Sequence, residues 1–289
     1  MNLLDGKVTA AAYKEKIAKE VSELTATGQR APHLAAILVG ENPASVAYVN
    51  GKVKDCDEVG FKSTLIRLPE DISQEELLSK VDELNNDEGL DGFIVQLPLP
   101  KHIDEKTVTL AIDPKKDVDG FHPENVGRMA LNLPTYLPAT PHGILMMLEH
   151  YKIETSGKHC VVIGRSNIVG SPMSILMARN ANPGNATVTL THSRTTDLKA
   201  ECLRADIIVA AIGKANFLTA DMVKPGAVVI DVGINRVEDA SRKRGYRLTG
   251  DVDFQGVSEK ASWLTPVPGG VGLMTRVALL QNTLQAAQR

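Results

Sequence analysis

His159-Cys160-Val161-Val162-Ile163-Gly164-Arg165-Ser166-Asn167-Ile168-Val169-Gly170-Ser171-Pro172 is the stretch on which the fold turns. Its first five residues read as a strand. The strand runs into a glycine turn and the turn opens a helix, with Ser171 placed to cap it and Pro172 at a first-turn position where proline is tolerated. Such a junction aims backbone N–H groups and the positive end of the helix at an anion, most often a phosphate. The glycines are six apart, so this is not the GxGxxG spacing, and the same turn also serves as ordinary punctuation in α/β folds.

The next strand, Ala186–Leu190, ends in Thr191-His192-Ser193-Arg194-Thr195. At this place in a dinucleotide fold an acidic residue holds a ribose 2′-hydroxyl, whereas an arginine accommodates a 2′-phosphate. Asp and Glu are absent from the run; hydroxyls and Arg194 occupy it, and Arg165 offers a second cation. That favours NADP over NAD, with a solvated loop arginine as the competing reading. Asp197 reads as the cap of the following helix.

Outward from this point, short apolar runs alternate with longer amphipathic ones. Further strands are expected at Leu34–Val39, Ser63–Arg67, Gly92–Val95, Asp206–Ala211 and Val228–Val232. Helices are expected at Val8–Leu24, Ala44–Val59, Gln74–Asn86, Pro172–Asn180, Leu198–Ala205 and Met274–Ala287. Strands separated by helices of this length imply parallel sheets with right-handed crossovers. Three prolines in Leu133–Pro141 mark a break. The reading is therefore an α/β protein of two domains: an N-terminal αβα domain over 1–138, joined by a returning helix at 273–289, and a Rossmann-like NADP-binding domain over 139–272. Asn182–Asn185 reads as a small insertion and Arg236–Arg247 as a solvated, charged loop.

Composition narrows the function classes. The chain has 289 residues, 43% hydrophobic and 23% charged, with a formal net charge of −3. No basic run with interleaved aromatics suggests nucleic acid. The longest apolar runs are strand-sized and too short to span a bilayer. The first residues become charged before a signal-peptide core could form, so the expected location is the cytoplasm. Cys56, Cys160 and Cys202 are widely spaced and read as reduced, buried thiols. The seven histidines show no ligand spacing, and no metal is expected.

The chemistry is sought on the helix after Leu34–Val39. Asn42-Pro43 reads as a cap followed by proline, and at about 100° per residue Ser45, Tyr48 and Lys52 share one face. A phenol one turn from an amine is a workable acid–base pair if burial favours the uncharged lysine. A packed tyrosine and a snorkelling lysine would look the same. Gln96 falls at the carboxyl end of Gly92–Val95, just before Leu97-Pro98-Leu99-Pro100, where α/β sheets place ligands. Lys116-Asp117-Val118-Asp119-Gly120 puts two carboxylates in a turn, which is also what any Asp/Gly turn looks like.

Taken together, the chain resembles the bifunctional methylenetetrahydrofolate dehydrogenase/cyclohydrolase family. The resemblance rests on eight runs in order: LVGENPAS with YV and K.K (Leu38–Lys54), GFIVQLPLP (Gly92–Pro100), KDVDGFHPENVGR (Lys116–Arg128), VVIGRSNIVGSP (Val161–Pro172), THSRT (Thr191–Thr195), DVGIN (Asp231–Asn235), GDVDF (Gly250–Phe254) and TPVPGGVG.MT (Thr265–Thr275). It implies Lys52 as catalytic lysine, Tyr48 as its partner tyrosine, Gln96 as the residue holding that lysine in its reactive state, and Asp119 as a carboxylate bonding the pterin. It implies that Gly164, Arg165, Ser166, Ser193 and Ile234 bind NADP, with Arg194 helping. The implied substrates are tetrahydrofolate derivatives, in a homodimer that serves one-carbon metabolism. Leu273 and Arg276 depart from the family pattern, which has proline and an apolar residue at those places, and Leu273 bears on the rim of the folate pocket. Another NADP dehydrogenase on the same plan, a dehydrogenase lacking the hydrolase step, and a nucleotide-sensing relative are the competing readings. The last would show loss of Tyr48, Lys52 or Gln96, and all three are present.

Overall fold

The structure, a computed structural model, describes residues 1–242 and 245–289. The chain divides into two compact units: Ala11–Ala139 with Arg276–Arg289, and Thr140–Thr275 with Met1–Ala10. In chain order the elements are β1 (Asn2–Leu3), α1 (Gly6–Ala26), β2 (His33–Val39), α2 (Pro43–Val59), β3 (Lys62–Leu68), α3 (Gln74–Asn85), β4 (Gly92–Val95), α4 (Glu105–Ala111), α5 (Pro123–Ala130) and α6 (Ala139–His150). There follow β5 (His159–Ile163), α7 (Gly170–Ala178), β6 (Thr187–Thr191), α8 (Leu198–Arg204), β7 (Ile207–Ala210), β8 (Val228–Asp231), β9 (Asn235–Glu238), β10 (Tyr246–Thr249), α9 (Phe254–Ser258), β11 (Trp263–Leu264) and α10 (Val271–Ala287).

The first unit holds a parallel sheet in the order β3-β2-β4. All seven residues of β2 are buried, as a central strand covered on both faces requires. Leu77 and Val81 of α3 are fully buried against Ala35, Ile37, Phe93 and Val95. Each such aliphatic side chain contributes roughly 1.5–3 kcal/mol. α3 starts on a capping box: Ser73 accepts from the Glu76 amide while Glu76 accepts from the Ser73 amide.

The second unit holds a parallel sheet ordered β1-β11-β8-β7-β5-β6. From β5 the chain steps outward to β6, then returns to the other side of β5 for β7 and β8. Strand order therefore reverses between β5 and β7, and in open α/β sheets that reversal leaves a crevice at the carboxyl ends. The opening residues, read in the sequence as part of the first domain, pair through β1 with β11 of this sheet.

Several expectations need correction. Arg236–Arg247 is not a solvated loop: β9 and β10 form an antiparallel ladder pairing Asn235 with Thr249 and Val237 with Arg247. Along β9 exposure alternates, so its charges mark the outer face of a ribbon. Residues 243 and 244 of that stretch lie outside the described residues. α6 begins at Ala139 within the proline-rich break, which leaves Pro141 in a first turn that needs no proline N–H. α7 begins at Gly170, two residues earlier than expected. Ser171 is accordingly inside the helix rather than its cap, and its hydroxyl donates to the Arg165 carbonyl at 3.1 Å. The turn is closed instead by Ser166, whose Oγ accepts from the Val169 amide at 3.2 Å.

Candidate active site

α2 is positioned from its first residue. The Asn42 side chain accepts from the amides of Ala44 at 2.9 Å and Ser45 at 3.3 Å, and Pro43 follows where its missing N–H costs nothing. Ser45, Val49, Cys56 and Val59 form the buried stripe of the helix. Lys52, three residues after Val49 and four before Cys56, falls on that stripe and is half-buried. Tyr48 stands one turn earlier on its flank and is 36% exposed. Lys54 faces solvent and pairs with Glu58, at 3.6 Å.

Gln96 continues the line of β4, its amide donating to the Ile37 carbonyl at 2.9 Å. Its side-chain N–H donates to the Leu97 carbonyl at 2.7 Å, which turns the amide oxygen the other way. That oxygen accepts from Lys52 Nζ at 3.1 Å. Burial pulls the Lys52 amine below the ordinary lysine value; the Asp119 carboxylate opposes this and the Arg276 guanidinium reinforces it. Burial likewise pushes the Asp119 carboxyl up, against the pull of Lys52. Loss of water dominates for both, so each group gives up its charge more readily here than in water. Burial also raises the Tyr48 phenol, which keeps its proton at neutral pH.

The two carboxylates of the 116–120 turn have different tasks. Asp117 is 2% exposed and accepts from the His122 amide at 2.7 Å and the Asn125 side chain at 2.9 Å. It is spent on shaping the turn, and burial pushes it up to about 6. Asp119 is the carboxylate left facing Lys52. The turn pattern alone did not separate the two; the family resemblance singled out Asp119.

The residues expected to bind the dinucleotide lie at the carboxyl ends of β5, β6 and β8. Gly164 has φ 108°, and a Cβ there would stand 2.2 Å from the Ala211 carbonyl oxygen beyond β7. A Cβ on Gly170 would stand 1.9 Å from the Gly164 oxygen, so the helix start lies directly on the strand end. This bare backbone fits a pyrophosphate approached by N–H groups. Arg165 and Ser166 are exposed beyond β5. Ser193 and Arg194 are exposed beyond the paired strand β6, in a turn closed by the His192 amide donating to Thr195 Oγ1 at 2.9 Å. Asp197 caps α8 by accepting from the Ala200 amide. Ile234, 44% exposed, follows β8.

Sequence reasoning missed what holds the Ile234 turn. Buried Asp231 accepts from the amides of Gly233 at 3.0 Å, Asp251 at 2.8 Å and Val252 at 3.0 Å. Asp251 accepts from the amides of Ile212 and Gly213 at 2.7 and 2.9 Å and from the Asn235 side chain at 3.0 Å. The signal was present: these are the acids of DVGIN and GDVDF. Three cysteines are buried and their thiols are pushed up to about 12 by burial, which leaves them inert. Among the described residues no cluster of three or more His, Cys, Asp or Glu could hold a metal ion, and no helix is long and apolar enough to cross a membrane.

Comparison with known proteins accounts for both halves. The chain matches the model of the tetrahydrofolate dehydrogenase/cyclohydrolase catalytic domain over residues 4–119 and that of the family's NAD(P)-binding domain over residues 138–289. It is 65% identical to the bifunctional protein FolD of Cytophaga hutchinsonii over 287 residues, 99% of each chain. Its structure is similar to that of the FolD enzyme from Campylobacter jejuni, with a TM-score of 0.93 and 47% identity over 100% of this chain and 99% of that one. It is also similar to the Trypanosoma brucei dehydrogenase-cyclohydrolase solved with NADP and an inhibitor, with a TM-score of 0.92 and 38% identity over 99% of this chain and 96% of that one. With an amine seated against a glutamine at the end of one sheet, a helix start laid on bare glycine backbone at the end of a second sheet, and both domain models matched, the chain belongs to the tetrahydrofolate dehydrogenase/cyclohydrolase family.

Proposed function

We propose that Lys52, Tyr48, Gln96 and Asp119 carry out the folate chemistry of this dehydrogenase/cyclohydrolase, and that Gly164, Arg165, Ser166, Ser193, Arg194 and Ile234 bind its NADP. The substrate is 5,10-methylenetetrahydrofolate. The nicotinamide, when bound, accepts a hydride from the one-carbon unit, which leaves the 5,10-methenyl cation and releases no proton. Lys52 then takes a proton from the water that adds to that carbon. The bond from the carbon to N5 breaks, N5 is protonated, and 10-formyltetrahydrofolate leaves with one proton released overall.

Each side chain has a physical reason for its part. An uncharged amine both accepts a proton and avoids repelling the cation beside it. Gln96 accepts a hydrogen bond from either form of the amine and fixes its direction. Asp119, facing Lys52, is placed to accept from the pterin ring, and protonated Tyr48 at the rim can donate to the substrate or stack on it. The 3.1 Å contact of the buried Lys52 amine with Gln96 carries this reading. On the same reading the protein is a cytoplasmic homodimer supplying formyl groups to purine biosynthesis, and sedimentation should return twice the 31.1 kDa chain mass.

The direct test follows methylenetetrahydrofolate with NADP or NAD, recording methenyl absorbance and its decay. NADP-dependent formation followed by enzyme-accelerated decay is expected. No formation with NADP would remove the reading. In the same assay Arg194→Ser should raise the KM for NADP by on the order of tenfold or more, because it deletes a charge-assisted phosphate contact, and leave the KM for NAD little changed.

A further inference from the structure

The interior of α2 contains a residue that a helix disfavours. Gly51 sits mid-helix, at a cost of roughly 0.5–1 kcal/mol relative to alanine. The structure shows what uses the space: an ideal Cβ on Gly51 would stand 1.9 Å from Nη1 of Arg276, so the guanidinium lies on the bare backbone beside Lys52. Arg276, which the sequence marks as a departure from its family, is held there. Its Nε lies 2.9 Å from Oδ2 of Asp55, one turn beyond Gly51, and the Asp55 side chain is 3% exposed. The other Asp55 oxygen accepts from Lys14 of α1, which also reaches Glu58 at 2.7 Å. The Asp55–Arg276 contact is off the hydrogen-bond direction, so its attraction is chiefly electrostatic.

We propose that Arg276 is a positioning residue for the reaction: tethered by Asp55 and seated on Gly51, it places a permanent positive charge beside Lys52 and Tyr48 and thereby favours the uncharged amine. This deepens the reading of Lys52 as the acid–base group and rests on it. Around Lys52 stand Gln96 beyond β4, Asp119 in the turn before α5, Tyr48 and Cys56 on α2 itself, and Arg276 on α10. Asp119 is the nearby carboxylate that favours the ammonium, and Arg276 opposes it. An amine near a fixed cation in a poorly hydrated site is harder to protonate. A guanidinium suits the task because it keeps its own proton at every accessible pH, whereas a lysine there could lose it.

The test compares wild type with Arg276→Met, which keeps the unbranched stem and removes the charge, and with Arg276→Lys, which keeps a charge. Two quantities are read: the pH profile of methenyltetrahydrofolate hydrolysis, and the titration of the Lys52 side chain by 13C NMR, assigned with Lys52→Met. In Arg276→Met the acid limb of the profile and the Lys52 titration should both move to higher pH, and Arg276→Lys should bring both back toward wild type. An Arg276→Met or Arg276→Gln protein whose Lys52 titrates as in wild type would overturn the proposal, whatever its rate. Retention of hydrolysis in Lys52→Met would instead remove the underlying reading, and the NMR titration would still report on Arg276.

Discussion

Lys52→Met should lower hydrolysis of methenyltetrahydrofolate by about 10³-fold while leaving the folded chain as stable as wild type or more so. The loss follows from removing the group proposed to take the proton from the adding water, for which factors of roughly 10²–10⁴ are usual. The stability expectation follows from linkage. Folding pulls the amine below its ordinary value of 10.5, so the unfolded chain binds a proton that the folded chain resists. Stability contributed by this group therefore rises with pH through the window between its folded value and 10.5. Below that window the buried amine is a net cost. Methionine fills the same stripe between Val49 and Cys56 without that cost, so its advantage should be greatest at acid pH and fade as pH rises. Assays of hydrolysis with thermal melts across pH check this. A melting temperature that drops by many degrees at every pH would mean that Lys52 serves the fold.

Gly170→Ala should separate the two activities. The added methyl would lie 1.9 Å from the Gly164 carbonyl oxygen, backbone that cannot swing aside. The start of α7 has to retreat from the end of β5, and a displacement of about 1 Å at a binding site can cost 10²-fold. A drop of roughly that size is expected in kcat/KM for NADP. Hydrolysis of methenyltetrahydrofolate needs no dinucleotide, and the residues assigned to it lie in the other compact unit, so it should persist. Overpacking of this kind costs about 1–3 kcal/mol, which a melt will register. Equal loss of both steps in a folded protein would contradict the division of labour.

What could be read from residues alone had a local cause. β4 and β5 are short apolar runs ended by Gln96-Leu97-Pro98 and by Gly164, and their bounds match the expected ones because those endings act through the nearest neighbours. α2 and α8 were legible through Asn42 and Asp197, whose side chains cap within three residues. The β9–β10 ribbon was not legible. Its charges alternate along one face, a pattern that a count of charges over the segment conceals. The start of α6 was hidden by prolines that a first turn tolerates.

The chain itself determined that two parallel-sheet bodies form, that Lys52 lies one turn from Tyr48, and that no acid stands beside Arg194, since each depends on spacing within a few residues. The family resemblance pointed to Asp119 and Gln96; tertiary structure decided how Asp117 is spent on its turn, that Gln96 turns its oxygen toward Lys52, and that Arg276, 225 positions after Gly51, rests on its backbone. Protonation depends on burial and on charges within a few ångströms, and only folding sets those distances.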